Sequence, residues 1–187
     1  MLTFFATKIL NLTGWQTDVI LPKEKKFVLI GAPHTSNWDF PLGMLFFWTI
    51  NLKIYWVAKI QMFWGPLHYL FTALGGIPVD RKSTTGFIEQ IAERFKQTDE
   101  MVLTISPEGT RSKTEYWKSG FYHIAVAAGV PICLGYVDHD KKVLGFTEVL
   151  YPSGDINADM EIIAEYYNKI KVVRPQNQGP VLSLIHI

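Results

Sequence analysis

His34 and Asp39 stand five positions apart in Pro33-His34-Thr35-Ser36-Asn37-Trp38-Asp39, and both side chains can handle protons. Inside one continuous helix, residues five apart diverge by about 140°, given 3.6 residues per turn. With His34 in a loop and Asp39 in the first turn of a following helix, the carboxylate can reach back to one ring nitrogen. That contact fixes the tautomer and raises the basicity of the other nitrogen, which can then take a proton from an alcohol. A capped turn is the plainer alternative, because Thr35, Ser36, Asn37 and Asp39 all suit helix N-termini.

Two further blocks carry polar groups at turns. In Gly75-Gly76-Ile77-Pro78-Val79-Asp80-Arg81-Lys82, adjacent cations follow a glycine-bounded apolar run and could hold a phosphate, Arg81 by paired hydrogen bonds. A solvated turn with Asp80 paired to Arg81 is the alternative. In Ser106-Pro107-Glu108-Gly109-Thr110-Arg111-Ser112, Gly109 lets backbone approach a ligand, Thr110 offers a hydroxyl and Arg111 a fixed cation. Glu108 could orient that guanidinium or accept a substrate hydroxyl. A nucleotide phosphate loop is excluded, since no glycine run ends in Lys-Ser/Thr. There is no G-x-S-x-G nucleophile elbow, and the five histidines lack metal-ligand spacing, so no metal is expected.

The surrounding pattern alternates strand with helix. Apolar runs at Lys26–Gly31, Lys53–Ala58, Ile77–Val79, Met101–Ile105, Ile132–Val137 and Val143–Phe146 read as strands. Helical periodicity marks Pro41–Ile50, Phe87–Gln97, Phe121–Ala128 and a last helix with Asn157 as its N-cap and Met160, Ile163, Ala164, Tyr167 and Ile170 on one face. The expectation is one α/β domain: a mixed, mostly parallel sheet flanked by helices, preceded by an N-terminal amphipathic helix. His34 and Ser106 would then follow strand C-termini, where sites of such sheets gather. The domain runs over residues 16–181. The last six residues, 182–187, break every preceding pattern and, back-translated, read like a sequencing-adapter sequence; they are expected to be an artefactual tail.

Residues 1–15 place Leu2, Phe5, Ile9 and Leu12 at helical spacing, with Lys8 and Asn11 off that stripe, and Trp15 follows Gly14. Two readings stay open for this helix: packing on the core, or anchoring at a membrane interface. It has no basic leader or small-residue cleavage site, so a secretory signal is not expected. Residues 60–79 are charge-free for twenty positions, enough to span a bilayer, but Gly65-Pro66 and Gly75-Gly76-Ile77-Pro78 punctuate them. Two buried or interfacial segments separated by a turn are expected instead.

At 187 residues with 14% aromatics and a lone Cys133, intrinsic disorder and a disulfide scaffold are both excluded. The net charge of +1 conceals an asymmetry: residues 1–82 hold 8 Lys/Arg against 4 Asp/Glu, and residues 83–187 hold 10 against 13. Five of the six Trp fall in the basic half. That combination points to an anionic apolar surface, a membrane, as partner. Nucleic acid is not expected, since no clustered basic stripe exists.

Taken together, His34–Asp39, the block ending in Arg81, Pro-Glu-Gly-Thr-Arg-Ser at 107–112 and Val130-Pro131-Ile132 occur in an order and at separations that resemble the glycerolipid acyltransferase family. The type members of that family are 1-acylglycerol-3-phosphate acyltransferases. The resemblance covers residues 27–137. Two positions depart from the family pattern: Pro33 stands where Asn often precedes the His, and Ser106 where an aromatic often precedes Pro-Glu-Gly. The resemblance implies acyl transfer from acyl-CoA or acyl carrier protein to a hydroxyl of a lysophospholipid, with 1-acylglycerol-3-phosphate as the expected acceptor. His34 would be the general base, oriented by Asp39, and Arg81, Glu108, Gly109, Thr110 and Arg111 would bind the acceptor. No cofactor is implied beyond the thioester co-substrate. The enzyme would sit peripherally or monotopically on the cytoplasmic side of a membrane; the sequence does not name an oxyanion stabiliser, for which backbone N–H groups around the His34 loop are candidates. A different lysolipid acceptor, a thioesterase or lipid hydrolase, and a non-catalytic lipid-binding module are the competing readings.

Overall fold

Three adjacent parallel strands organise the chain, and their C-terminal ends define one edge of the molecule. A computed structural model describes residues 1–34, 36–79, 86–110, 112–170 and 179–181. Its strands are β1 (Gln16–Val19), β2 (Lys26–Gly31), β3 (Tyr55–Lys59), β4 (Gly76–Val79), β5 (Met101–Ile105), β6 (Ile132–Asp138) and β7 (Val143–Leu150). They form one sheet in the order β1-β7-β6-β2-β5-β3-β4, with every pairing parallel except β6 against β7. The expected mixed, mostly parallel α/β sheet is therefore present. β2 lies at its centre, and Phe27, Val28, Leu29 and Ile30 are buried on both faces, as a central parallel strand requires.

The helices are α1 (Leu2–Leu12), α2 (Asp39–Thr49), α3 (Pro66–Ala73), α4 (Phe87–Gln97), α5 (Gly120–Ala128) and α6 (Ile156–Tyr167). On one face of the sheet, Ile91 and Phe95 of α4, Phe121 and Ile124 of α5, and Ile163 and Tyr167 of α6 cover Val28, Ile30, Leu103 and Ile132. On the other face, Leu10 of α1 and Met44, Phe46 and Phe47 of α2 cover Phe27, Leu29, Val102 and Phe146, and Phe71 of α3 packs at the margin. Full burial of each such side chain stabilises the fold by about 1.5–3 kcal/mol, so both layers are needed to hold the sheet.

Four details bear on the sequence expectations. The Leu2, Phe5, Ile9 and Leu12 stripe of α1 faces away from the core, and Ala6 and Leu10 make the buried contact. Within residues 60–79 a 3₁₀ turn (Ile60–Met62) and α3, opened by Pro66 at its first turn, lead into β4; neither the turn nor α3 buries a residue. Among the described residues no helix is long and apolar enough to cross a membrane. The N-cap of α6 is Asp155 rather than Asn157: the Asp155 carboxylate accepts from the N–H groups of Asn157 and Ala158, at 3.0 and 3.3 Å. Lastly, β1 was not expected, because its Gln-Thr-Asp-Val run is mostly exposed and has no apolar alternation to mark it.

A buried tyrosine pins the strands that carry the site. Tyr167 Oη donates to Gly135 O at 2.8 Å, where β6 shifts register against β7. Gly135 is required there, since a Cβ would stand 2.6 Å from Ile30 O of β2. The junction holds the exits of β2 and β6 side by side, and those exits lead to His34 and His139.

Candidate active site

The loop after β2 turns straight into α2, which places His34 before the helix and Asp39 in its first turn. His34 Nδ1 lies 3.1 Å from Asp39 Oδ2. Asp39 accepts no proton at physiological pH, so His34 must present an N–H at Nδ1, and its Nε2 is left with the lone pair. His34 retains 25% side-chain exposure while Asp39 retains 7%, so the base is reachable and its partner is shielded. The expectation that the two meet holds, and Asp39 also places a negative charge at the N-terminus of α2, where the helix dipole favours it.

Asp39 is held from several directions. The Ser36 N–H donates to Asp39 Oδ2 at 2.8 Å, and His139 Nε2 approaches Asp39 Oδ1 at 3.3 Å. Burial alone would raise the Asp39 pKa, but hydrogen bonds from His139, His34 and Ser36 outweigh it and hold the carboxyl well below its ordinary range. His139 comes from the residue just past β6, one strand over from β2. In sequence, residues 138–142 read only as a polar turn between two strands. The available signal was its position at the C-terminal end of a central strand, where functional side chains concentrate.

Glu108 makes contacts that the sequence did not suggest. It is buried, and its carboxylate accepts from the His34 N–H at 2.9 and 3.2 Å and from Ser106 Oγ at 3.1 Å. Glu108 therefore ties the loop after β5 to the loop after β2, and Ser106, one of the departures from the family pattern, helps to hold it. Burial raises the Glu108 pKa, and these hydrogen bonds only partly counter that. Three N–H groups among the described residues of the His34 loop are engaged. The N–H of His34 is taken by Glu108, that of Ser36 by Asp39, and that of Trp38 by Ser36 Oγ.

Gly109 follows in the left-handed region at φ +64°, a conformation that favours glycine. Thr110 is exposed, and its Oγ accepts from the Ser112 N–H at 3.3 Å. Over this turn lies Lys118, whose Cε and Nζ would stand 3.3 and 3.4 Å from a Cβ at Gly109. Lys118, which nothing in its sequence context marks, thus brings an ammonium beside the Gly109 turn. Arg81 and Arg111 lie outside the described residues, as does the tail at 182–187. Among the described residues no group of His, Cys, Asp and Glu could hold a metal ion.

A groove of about 370 Å³ opens beside the pair, apolar along Trp15, Trp38, Pro41, Leu42 and Leu45 and polar at Ser36 and His139. A larger cavity of about 470 Å³ lies at the other end of α2, between Phe47, Lys53 and Leu74, and contains none of the site residues. Cys133 is fully buried and its thiol is pushed up to about 12, chiefly by burial, which removes it as a nucleophile.

Comparisons with known proteins bear on the family and the fold. The family model described as Acyltransferase matches residues 16–134. The chain is 27% identical to the 1-acyl-sn-glycerol-3-phosphate acyltransferase of Haemophilus influenzae over 67% of its own length and 55% of that protein. It is 36% identical to the enzyme of that name from Cocos nucifera over 53% of this chain and 33% of the relative, and 35% identical to the one from Escherichia coli over 54% and 42%. The chain thus spans from a third to somewhat over half of these relatives. The crystal structure of the 1-acyl-sn-glycerophosphate acyltransferase of Thermotoga maritima superposes with a TM-score of 0.60 at 18% identity, covering 90% of this chain and 77% of that one, which shows a shared fold.

Proposed function

Because the chain belongs to the glycerolipid acyltransferase family, we propose that it moves a fatty acyl group from acyl-CoA or acyl carrier protein to the free hydroxyl of a lysophospholipid, with 1-acylglycerol-3-phosphate as acceptor. The observation that carries this reading is the 3.1 Å contact between His34 Nδ1 and the shielded Asp39. It sets Nε2 as the proton acceptor. In the proposed step, His34 Nε2 takes the proton as the acceptor oxygen attacks the thioester carbonyl. The tetrahedral intermediate then collapses, the C–S bond breaks, and the proton on His34 goes to the departing sulfur. Asp39 steadies the transient imidazolium, and the base contributes roughly 10²–10⁴ in rate. No acyl-enzyme forms, which agrees with the inert Cys133.

Lys118, with Arg81 and Arg111, would neutralise the acceptor phosphate beside Gly109 and Thr110, and the groove along Trp15, Leu42 and Leu45 would take an acyl chain. Glu108 would act by holding the His34 backbone. The protein would work on a membrane surface, at its cytoplasmic side, since the α1 stripe is exposed and apolar. The test is mass-spectrometric product analysis with a panel of lysophospholipids and both donor types. Acyl transfer to lysophosphatidate that disappears in His34→Ala supports the reading. Fatty-acid release that is independent of any acceptor would replace it with a hydrolase.

A further inference from the structure

We propose that Ser106 is a positioning residue for acyl transfer, its hydroxyl steering the buried Glu108 carboxylate onto the His34 N–H so that His34 Nδ1 meets Asp39. The proposal rests on His34 being the base. Ser106 is the first residue past β5, and it opens a turn: its carbonyl accepts from the Gly109 N–H at 3.2 Å. Pro107, whose ring fixes φ, occupies the second position of that turn. The Pro107 carbonyl accepts from the Lys118 N–H at 2.9 Å, which ties the turn backbone to the segment before α5. Glu108 leaves this fixed turn with side-chain torsions of its own, and holding those takes a contact to the carboxylate itself.

Ser106 provides that contact. Ser106 Oγ donates to Glu108 Oε2 at 3.1 Å, and the same oxygen accepts from the His34 N–H at 2.9 Å. The hydroxyl and the backbone of the base therefore bear on one atom, so a shift of the Glu108 side chain is felt by the His34 backbone. Burial and the neighbouring Asp39 charge disfavour the Glu108 anion, whereas the donors from His34 and Ser106 favour it. The hydroxyl thus both aims the carboxylate and preserves it as an acceptor. A phenylalanine at this position, where the family pattern often has an aromatic, could not make the bond. Ser106 bonds Glu108 rather than His34 or Asp39, and its effect on the reaction passes through the His34 backbone.

The experiment follows thiol release by the full chain from acyl-CoA with lysophosphatidate, each variant being checked for folding by its thermal melt. The variants are Ser106→Ala, Ser106→Thr, Glu108→Ala, the combined Ser106→Ala and Glu108→Ala, and His34→Ala. Ser106→Ala should lower kcat roughly tenfold, the lower end for losing a hydrogen bond to a charged group, with both KM values within about twofold. Ser106→Thr keeps the hydroxyl and should recover most of the loss. In the Glu108→Ala background, Ser106→Ala should cost less than about twofold more, because the hydroxyl acts only through Glu108. Unchanged kcat in Ser106→Ala, a folded Ser106→Thr as impaired as Ser106→Ala, or full multiplication of the two effects in the combined variant would each overturn the proposal. A change confined to KM would overturn it too, and would make Ser106 part of the substrate-pocket wall. If Glu108→Ala does not fold, the KM split and the threonine rescue decide. Full turnover by His34→Ala would overturn the base reading and the proposal with it. An inactive His34→Ala beside an unaffected Ser106→Ala would overturn the positioning role alone.

Discussion

Two buried carboxylates flank the His34 loop, and pH acts on their contributions to stability with opposite signs. Asp39 has a depressed pKa, so its contribution is present above the ordinary carboxyl value of 3.8 and is lost as pH falls through the lower folded value. Glu108 has a raised pKa, so the folded state binds its proton more tightly than the unfolded chain, and stability is lost as pH rises from 4.5 through the raised value. Thermal melts of wild type and Glu108→Gln between pH 4 and 8 should therefore diverge. The melting temperature of the variant relative to wild type should climb as pH increases above about 4.5 and then level off; a difference that is flat with pH would show that Glu108 is not buried as a reluctant anion. Asp39→Asn should lower kcat by about two to four orders of magnitude and leave KM nearly unchanged, because the amide presents an N–H where His34 needs an acceptor. A change in KM alone would assign Asp39 to substrate binding. His34 and Asp39 were legible in sequence because their contact is local. The hold of Glu108 on the His34 loop was not legible, since its partner is a backbone N–H 74 positions away. His139 was illegible for the same reason, being 100 positions from Asp39.

At the scale of elements, the site exists because β6, β2 and β5 are neighbours and their C-terminal ends deliver His139, His34 and Glu108 to one place. The strand runs at Lys26–Gly31 and Met101–Ile105 were readable from their apolar runs, and α4 and α5 from their periodicity. Elements whose stability comes from elsewhere were not. β1 is recruited by pairing with Val143–Phe146, and α3 rests on a proline start and marginal packing rather than on a buried stripe. The α6 cap moved to Asp155 because a side chain one residue before the helix can reach two free N–H groups, whereas Asn157 already lies inside it. What keeps β2 and β6 in register is the Tyr167–Gly135 junction. Tyr167→Phe removes the 2.8 Å bond to Gly135 O and should cost about 1 kcal/mol, a melting shift of roughly 2–4 °C for a chain of this size. Gly135→Ala should cost more, because its Cβ meets the Ile30 carbonyl at 2.6 Å and backbone rather than a side chain must give way. If Gly135→Ala melted with wild type, the close approach of β2 and β6 would be wrong.

Over the whole molecule, exposed apolar side chains are distributed unevenly between the two faces of the sheet. The α4–α5–α6 face exposes Val126 and Ile162 as its large apolar residues, whereas the α1–α2–α3 face exposes Phe4, Phe5, Trp38, Trp64, Tyr69 and Leu70 among others. Residues 1–79 carry six Lys against Asp18, Glu24 and Asp39, and Asp39 is buried, so this half of the chain is net positive as well as apolar, with Lys25 paired to Glu100. Trp and Tyr favour the headgroup level, and lysines beside them gain from anionic lipid, which together suit a membrane surface at the side where the groove opens. The proposed membrane contact then has two parts: the outward stripe of α1, and the unburied segment from Ile60 through α3. Flotation with anionic vesicles should separate them. Phe4→Ser with Phe5→Ser, and independently Trp64→Ser with Tyr69→Ser and Leu70→Ser, should each reduce the partition coefficient by roughly tenfold or more, given about 1.5–3 kcal/mol for each large side chain withdrawn from water. High salt or zwitterionic lipid should weaken binding of wild type without abolishing it, because screening removes the lysine contribution and leaves the apolar one. These substitutions touch neither His34 nor Asp39, so turnover of a short-chain, water-soluble acceptor should stay near wild type while turnover of vesicle-embedded acceptor falls. If the second set of substitutions left vesicle binding unchanged, α3 would be covered by something other than lipid, and α1 alone would carry the membrane contact.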